Sequence, residues 1–199
     1  MDKKIFEIVT LPHPCLTTKA QSISHNLEGL AEAEKIIEQL EESLKPRLPA
    51  AGLAAPQIAL SKRVFIFSWD RALDHLEAVI NPSFEPLDFE MSLGWEGCFS
   101  VPLALAQVSR FQNIRVTYLN REGRHVSYIL RGFAARVFQH EYDHLEGIEN
   151  IHKEGATIKQ FASQDELVAF ITEVKKGDVA HYIKPERVDE VTDPSLHLC

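Results

Sequence analysis

Only three cysteines occur among the 199 residues, Cys15, Cys98 and Cys199, far apart and odd in number. That excludes a disulfide framework as the basis of stability and fits a reducing compartment, with the cytoplasm as the default. Basic residues are outnumbered: 21 lysines and arginines against 29 aspartates and glutamates leave a formal net charge of −8. A bulk attraction to nucleic acid or to an anionic membrane is therefore excluded, although a local basic patch is not. No apolar run approaches the length of a membrane span. The opening MDKKIFEIVTLPHPCL carries lysines without the apolar core or small-residue cleavage site of a signal peptide. Internal repeats and low-complexity segments are absent too. The composition, 45% hydrophobic and 25% charged, is that of an ordinary globular chain. The length predicts a single domain over 1–199, large enough to bury a proper core.

Periodicity divides the chain into elements. NLEGLAEAEKIIEQLEESL places Leu30, Ala33, Ile37, Leu40 and Leu44 on one helical stripe, with Asn26 as cap and Pro46 as stop. RLPAAGLAAPQIAL, small residues flanked by prolines, reads as a loop that something approaches closely. RVFIFSW and LEAVINP are short strands, the second ended by Pro82. IRVTYLN and HVSYIL flank REG and predict a hairpin with Gly123 in its turn. GFAARVFQHEYDHLEG then takes helical spacing, with Phe133, Val137, His140 and His144 on one face and Gly147 as stop. SQDELVAFITEVKKG is a third helix, with a capping-box pattern at Ser163 and Glu166 and Lys175, Lys176 and Gly177 at its end. From about 178 to 199 there is no clean period, and a tail is expected, packed at Tyr182 and Ile183. Strands interspersed with three helices, one pair in a hairpin, predict an α+β fold rather than a wound parallel sheet.

The chemistry concentrates in QHEYDH. One helical turn brings His140 and His144 side by side, close enough to share one metal ion, and points Glu141 at the same place. There Glu141 is suited to take a proton from a water and pass it to a leaving group. A solvated helix face carries the same pattern by chance. Two histidines also need a third ligand. A histidine six residues after His144 would suit one protease class, but that position is Asn150. Glu166 and Glu173 are candidates of a second kind. Cys98, in GWEGCFSVP, is a third: Gly94 and Gly97 bracket it, an odd choice for a core strand, and would let a substrate or metal approach the backbone. A thiolate with two imidazoles leaves one coordination position open.

Three stretches, GLAAPQ, EGCFS and QHEYDH, resemble in order and interval the three motifs of the peptide deformylases. IVTLPHPCL and VSRFQNIRVTYLNREG fit as well, so the resemblance covers roughly residues 5 to 150. It implies an α+β fold with antiparallel or mixed sheets around a central metal-binding helix, and removal of the N-formyl group from the starting methionine of new polypeptides. It implies one divalent metal held by Cys98, His140 and His144, usually iron(II), with zinc, nickel or cobalt able to occupy the same site. Glu141 becomes the proton shuttle, and the Gln57 amide and Phe99 N–H the oxyanion donors. Backbone around Ala51, Gly52 and Gly97 is implied to pair with the substrate as an added strand. The methionine side chain is implied to enter a pocket near Phe133 and Val137. N-formylmethionyl nascent peptides are the implied partners and ribosome contact is transient; no basic helix is expected in ERVDEVTDPSLHLC. Three departures stand out: Ala50 where the family mostly has glycine, Phe99 where it mostly has leucine, and an apolar VPLALAQ where some members have arginine. Two rival readings remain: a zinc endopeptidase using His140, Glu141 and His144, in which Cys98 has no metal role, and a non-catalytic paralogue that binds formylated chains.

Overall fold

The computed structural model describes residues 6–175 and 182–188, and the fold is α+β, as the element pattern predicts. Six strands form one antiparallel sheet in the order β1 (Gly52–Ala54), β2 (Val64–Ser68), β3 (Leu76–Pro86), β6 (Asn113–Leu119), β7 (His125–Arg131) and β9 (Glu186–Val188). A smaller antiparallel sheet is made of β4 (Met91–Cys98), β5 (Val101–Phe111) and β8 (Thr157–Gln160). β1 ends the first sheet and β4 ends the second, so the two motif-bearing strands are both edge strands.

The first helix, α1, runs Leu27–Leu44 and starts as its cap predicts, with Asn26 Oδ1 accepting the Gly29 N–H at 2.8 Å. Ala33, Ile37, Leu40 and Leu44 are buried together with Ile36, while Leu30 stays half-buried. They pack on Val64, Ile66, Ala78 and Ile80 of the larger sheet. Alternation along β2 sends Phe65 and Phe67 to the opposite face. There they meet α2 (Gly132–Leu145), whose Phe138 ring lies edge-on to both at 5.1 and 5.6 Å. α2 also touches β5, so it lies between the sheets. Nine of its fourteen residues are buried, so polar residues there must find partners inside. Gln139 does so by exchanging hydrogen bonds with the Phe111 backbone, at 2.9 and 3.2 Å, which pins α2 to β5.

The third helix, α3 (Gln164–Lys175), carries a shifted version of its predicted cap. Ser163 Oγ accepts the Glu166 N–H, but the Glu166 carboxylate reaches back to the Ala162 N–H. The predicted stop at Lys176 and Gly177 lies outside the described residues, as do Cys199 and most of the tail.

Three expectations about elements need correction. The loop around GLAAPQ contains β1 and a 3-10 turn over Ala55–Ile58, because its small residues let the backbone tuck against the core. Pro82 does not end its strand: β3 runs on to Pro86 through a break in register between Ile80 and Ser83, with Asn81 at φ 48°. A bulge frees the proline from donating to the ladder. The tail supplies β9, which pairs with β7 from Ser127↔Val188 to Ile129↔Glu186. Tyr182 and Ile183 are each 44% exposed rather than packed, although the Tyr182 ring lies edge-on to Phe133 at 5.2 Å.

Candidate metal and catalytic centre

α2 presents His140 and His144 one turn apart, with ring centroids 5.0 Å from each other. Cys98, the last residue of β4, comes in beside them. One ligand atom from each of Cys98, His140 and His144 lies within 4.8 Å of the other two, and Cys98 Sγ is 3.4 Å from His144 Nε2. The other third-ligand candidates sit elsewhere. Glu166 is spent on the start of α3, the helix that also carries Glu173. Asn150 donates through Nδ2 to the Glu96 carbonyl at 2.9 Å and so ties down β4.

Each imidazole is oriented from behind. His140 Nδ1 donates to Glu96 and His144 Nδ1 to Glu149, both at 3.0 Å, which aims the Nε2 atoms at the Cys98 side. Both carboxylates are buried. Burial alone would raise their pKa values, but the hydrogen bonds from the histidines outweigh it: with Arg110 added, Glu96 is held well below the usual carboxylate range, and Glu149 is lowered. Burial would likewise raise the Cys98 thiol; the charge of His144 and hydrogen bonds from both imidazoles outweigh it and lower the thiol. The donor set fits a divalent cation. A soft thiolate and two imidazoles converge, and carboxylates behind the rings leave the Nε2 lone pairs free for a metal.

Glu141 adds a second mark of such a site. It is 4% exposed, its Oε2 has no hydrogen-bond partner among the described residues, and burial raises its pKa against the opposing charges of His140 and His144. An orphaned carboxylate oxygen in a buried place costs about 1–3 kcal/mol or more, so its retention calls for a function. Gly52 makes room for it: a Cβ at position 52 would stand 2.5 Å from Glu141 Oε1. Gln57 is fixed end for end. Its Oε1 accepts the Ala54 N–H at 2.9 Å, which turns Nε2 toward Cys98 Sγ at 3.4 Å and Ser100 Oγ at 3.3 Å.

The remaining predicted residues are less uniformly gathered. Phe99 follows Cys98 in the turn between β4 and β5, with its side chain 39% exposed rather than housed. The Ala51 carbonyl is committed to the Ser68 N–H at 2.7 Å, so by alternation the Gly52 backbone faces the free edge of β1. Gly97 stands where the β4–β5 pairing shifts register. Val137 is buried among the core residues around Phe138, and Phe133 lies seven residues before His140, against Arg71 and Tyr182. Ala50 does not adopt positive φ, so alanine is unstrained there. Gly94 has a different purpose from close approach of a ligand: the Arg136 guanidinium fills its place, with Cζ 2.9 Å from an added Cβ.

Four residues escaped the sequence reading: Glu96, Glu149, Arg110 and Arg136. Arg110 forks onto Glu96 through Nε at 3.0 Å and Nη2 at 2.8 Å, and also pairs with Asp143. One signal for Glu96 was available, because it sits two residues before Cys98 in the same strand. Arg136 carried a signal too, standing one turn before His140 on the same helix, whereas Glu149 and Arg110 meet the site through pairings that local periodicity does not encode.

The family model described as polypeptide deformylase matches residues 5–159. A peptide deformylase of Thermotoga petrophila is 36% identical over 144 residues, spanning 72% of this chain and 84% of that one. Its counterpart in Desulforudis audaxviator is 38% identical over 144 residues, spanning 72% and 90%. The crystal structure of peptide deformylase from Thermotoga maritima superposes with a TM-score of 0.67 at 34% identity, covering 75% of this chain and 97% of that one.

Proposed function

Because this chain belongs to the polypeptide deformylase family, we propose that it removes the N-formyl group from the starting methionine of newly made polypeptides, as a single catalytic domain. The observation that carries the reading is the convergence of Cys98, His140 and His144, with Glu141 next to His140 on the same helix, buried and with an Oε2 that has no partner among the described residues. These three residues would hold one divalent ion, iron(II) being the family's usual metal. When bound, the ion supplies Lewis acidity that polarises the formyl group and makes water more acidic.

The chain's own residues do the rest. Glu141 takes a proton from the attacking water on Oε2. The water oxygen bonds to the formyl carbon, and the carbonyl electrons move onto the formyl oxygen. Gln57 Nε2 and the Phe99 N–H donate to that oxyanion; losing one such donor costs about 2.7–4 kcal/mol. The C–N bond then breaks, Glu141 delivers its proton to the leaving amine, and formate departs. Gly52 and Gly97 offer backbone to the peptide as it lies along the edge, so recognition does not depend on the sequence after the methionine. Val137 and Phe133 line the approach of the methionine side chain. The substrate is an N-formylmethionyl nascent chain, met transiently near the ribosome in the cytoplasm; no described helix is long and apolar enough to cross a membrane.

The test is formate release from a formyl-Met peptide by protein loaded with iron(II) under anaerobic conditions. The reading predicts multiple turnovers and no cleavage of internal peptide bonds. Internal cleavage without formate would favour the endopeptidase. Tight binding of the formyl peptide without turnover would favour a non-catalytic paralogue.

A further inference from the structure

Glu96 has every position on its carboxylate occupied. Oε1 receives Arg110 Nε at 3.0 Å and Arg136 Nη1 at 2.7 Å; Oε2 receives Arg110 Nη2 at 2.8 Å and His140 Nδ1 at 3.0 Å. The Arg110 fork fixes the carboxylate plane, but Arg110 is shared with Asp143. Arg136 is anchored differently. Its Nη2 donates to the Ser92 carbonyl at 2.7 Å and to Ser92 Oγ at 2.9 Å, and its Nη1 to the Val108 carbonyl at 3.0 Å. It is therefore referenced to the main chain of both β4 and β5. It also stands one turn before His140 on the same helix, so α2 grips one carboxylate at both oxygens, through Arg136 and through His140.

We propose that Arg136 is a positioning residue for the metal centre: seated in the space left by Gly94, it locks Glu96 so that His140 keeps its ring orientation toward the ion. The inference rests on Cys98, His140 and His144 being the ligand set. Without Arg136, the Glu96–Arg110 pair is free to pivot and His140 loses a fixed acceptor behind it. Groups that orient metal-ligating histidines typically change metal affinity or activity by about 10–100-fold when removed. Gly94 belongs to the same device, because any side chain there displaces the guanidinium.

The experiment compares Arg136→Leu, Arg136→Lys and Gly94→Val with the unaltered protein and with Cys98→Ser. Nickel(II) affinity is measured by chelator competition, and kcat and KM are measured on a formyl-Met peptide. Arg136→Leu should bind nickel roughly tenfold or more weakly, lowering kcat with KM within about twofold. Arg136→Lys should recover part of the affinity, since a point charge replaces a fork. Gly94→Val should mimic Arg136→Leu, and the double variant should be no worse than either single, the signature of a shared mechanism. Unchanged nickel affinity and kcat in Arg136→Leu, with only a lower melting temperature, overturns the proposal and leaves the metal-centre reading intact. If the unaltered protein binds no nickel, or Cys98→Ser binds it equally well, the ligand set fails and this inference falls with it. Should Arg136→Leu not fold, Arg136→Lys and Gly94→Ala carry the same test: unchanged affinity in both overturns it.

Discussion

The role proposed for Glu141 rests on one carboxylate oxygen that has no hydrogen-bond partner among the described residues. Buried at 4% exposure with Gly52 against Oε1, the side chain is held in one place with Oε2 open. Glu141→Gln keeps the volume and removes the basic oxygen. Metal content should stay at the unaltered level, while turnover falls by the roughly 10²–10⁴-fold that general acid–base catalysis contributes. Retention of more than about a tenth of the rate would assign the proton transfer to another group. At this scale the sequence was legible where the chemistry is local. His140, Glu141 and His144 share two turns of one helix, and their spacing puts them together. Glu96 and Glu149 were not legible as their partners. Glu96 reaches His140 across 44 positions, and Glu149 reaches back to His144 only because Gly147, at φ 73°, turns the chain after α2.

Elements with strong periodicity came through as read: α1, α2 and the β6–β7 hairpin, whose Gly123 sits at φ 74°. What periodicity does not carry is pairing. Nothing in the pattern separates β4, β5 and β8 into their own sheet, and the irregular tail gave no sign of β9, since a three-residue edge strand is too short to show alternation. Deleting residues 186–199 would be neutral for a loose tail, yet β9 covers the edge of β7, with Arg131 3.5 Å from Glu186 in an exposed pair worth little by itself. The truncated protein should keep its rate on short formyl-Met peptides, while its melting temperature falls by a few degrees and its tendency to aggregate rises as the β7 edge is uncovered. Identical melting and aggregation behaviour would mean that the β9 pairing contributes nothing in solution. A large loss of rate would place the tail in the reaction itself.

At the scale of the molecule, two sheets and one helix make the site. α2 between the sheets supplies His140, Glu141 and His144; the edge of the small sheet supplies Cys98; the edge of the large sheet supplies Gly52, with Gln57 in the turn that follows. Neither α2 nor the small sheet holds the whole candidate ligand set, so the three groups meet only when that sheet closes on α2, and Gly52 and Gln57 join them only when the large sheet does. The Phe138 cluster and the Gln139–Phe111 exchange keep that closure in place. Cys98→Ser tests whether Cys98 is a metal ligand in a deformylating centre. Serine is nearly isosteric, but its hydroxyl is harder and far less acidic, so it replaces the thiolate poorly. The measurement is metal content per chain after dialysis, taken together with formate release from a formyl-Met peptide. The account predicts severe loss of metal and no formate, with the fold retained; a full metal complement and normal turnover in Cys98→Ser would contradict it.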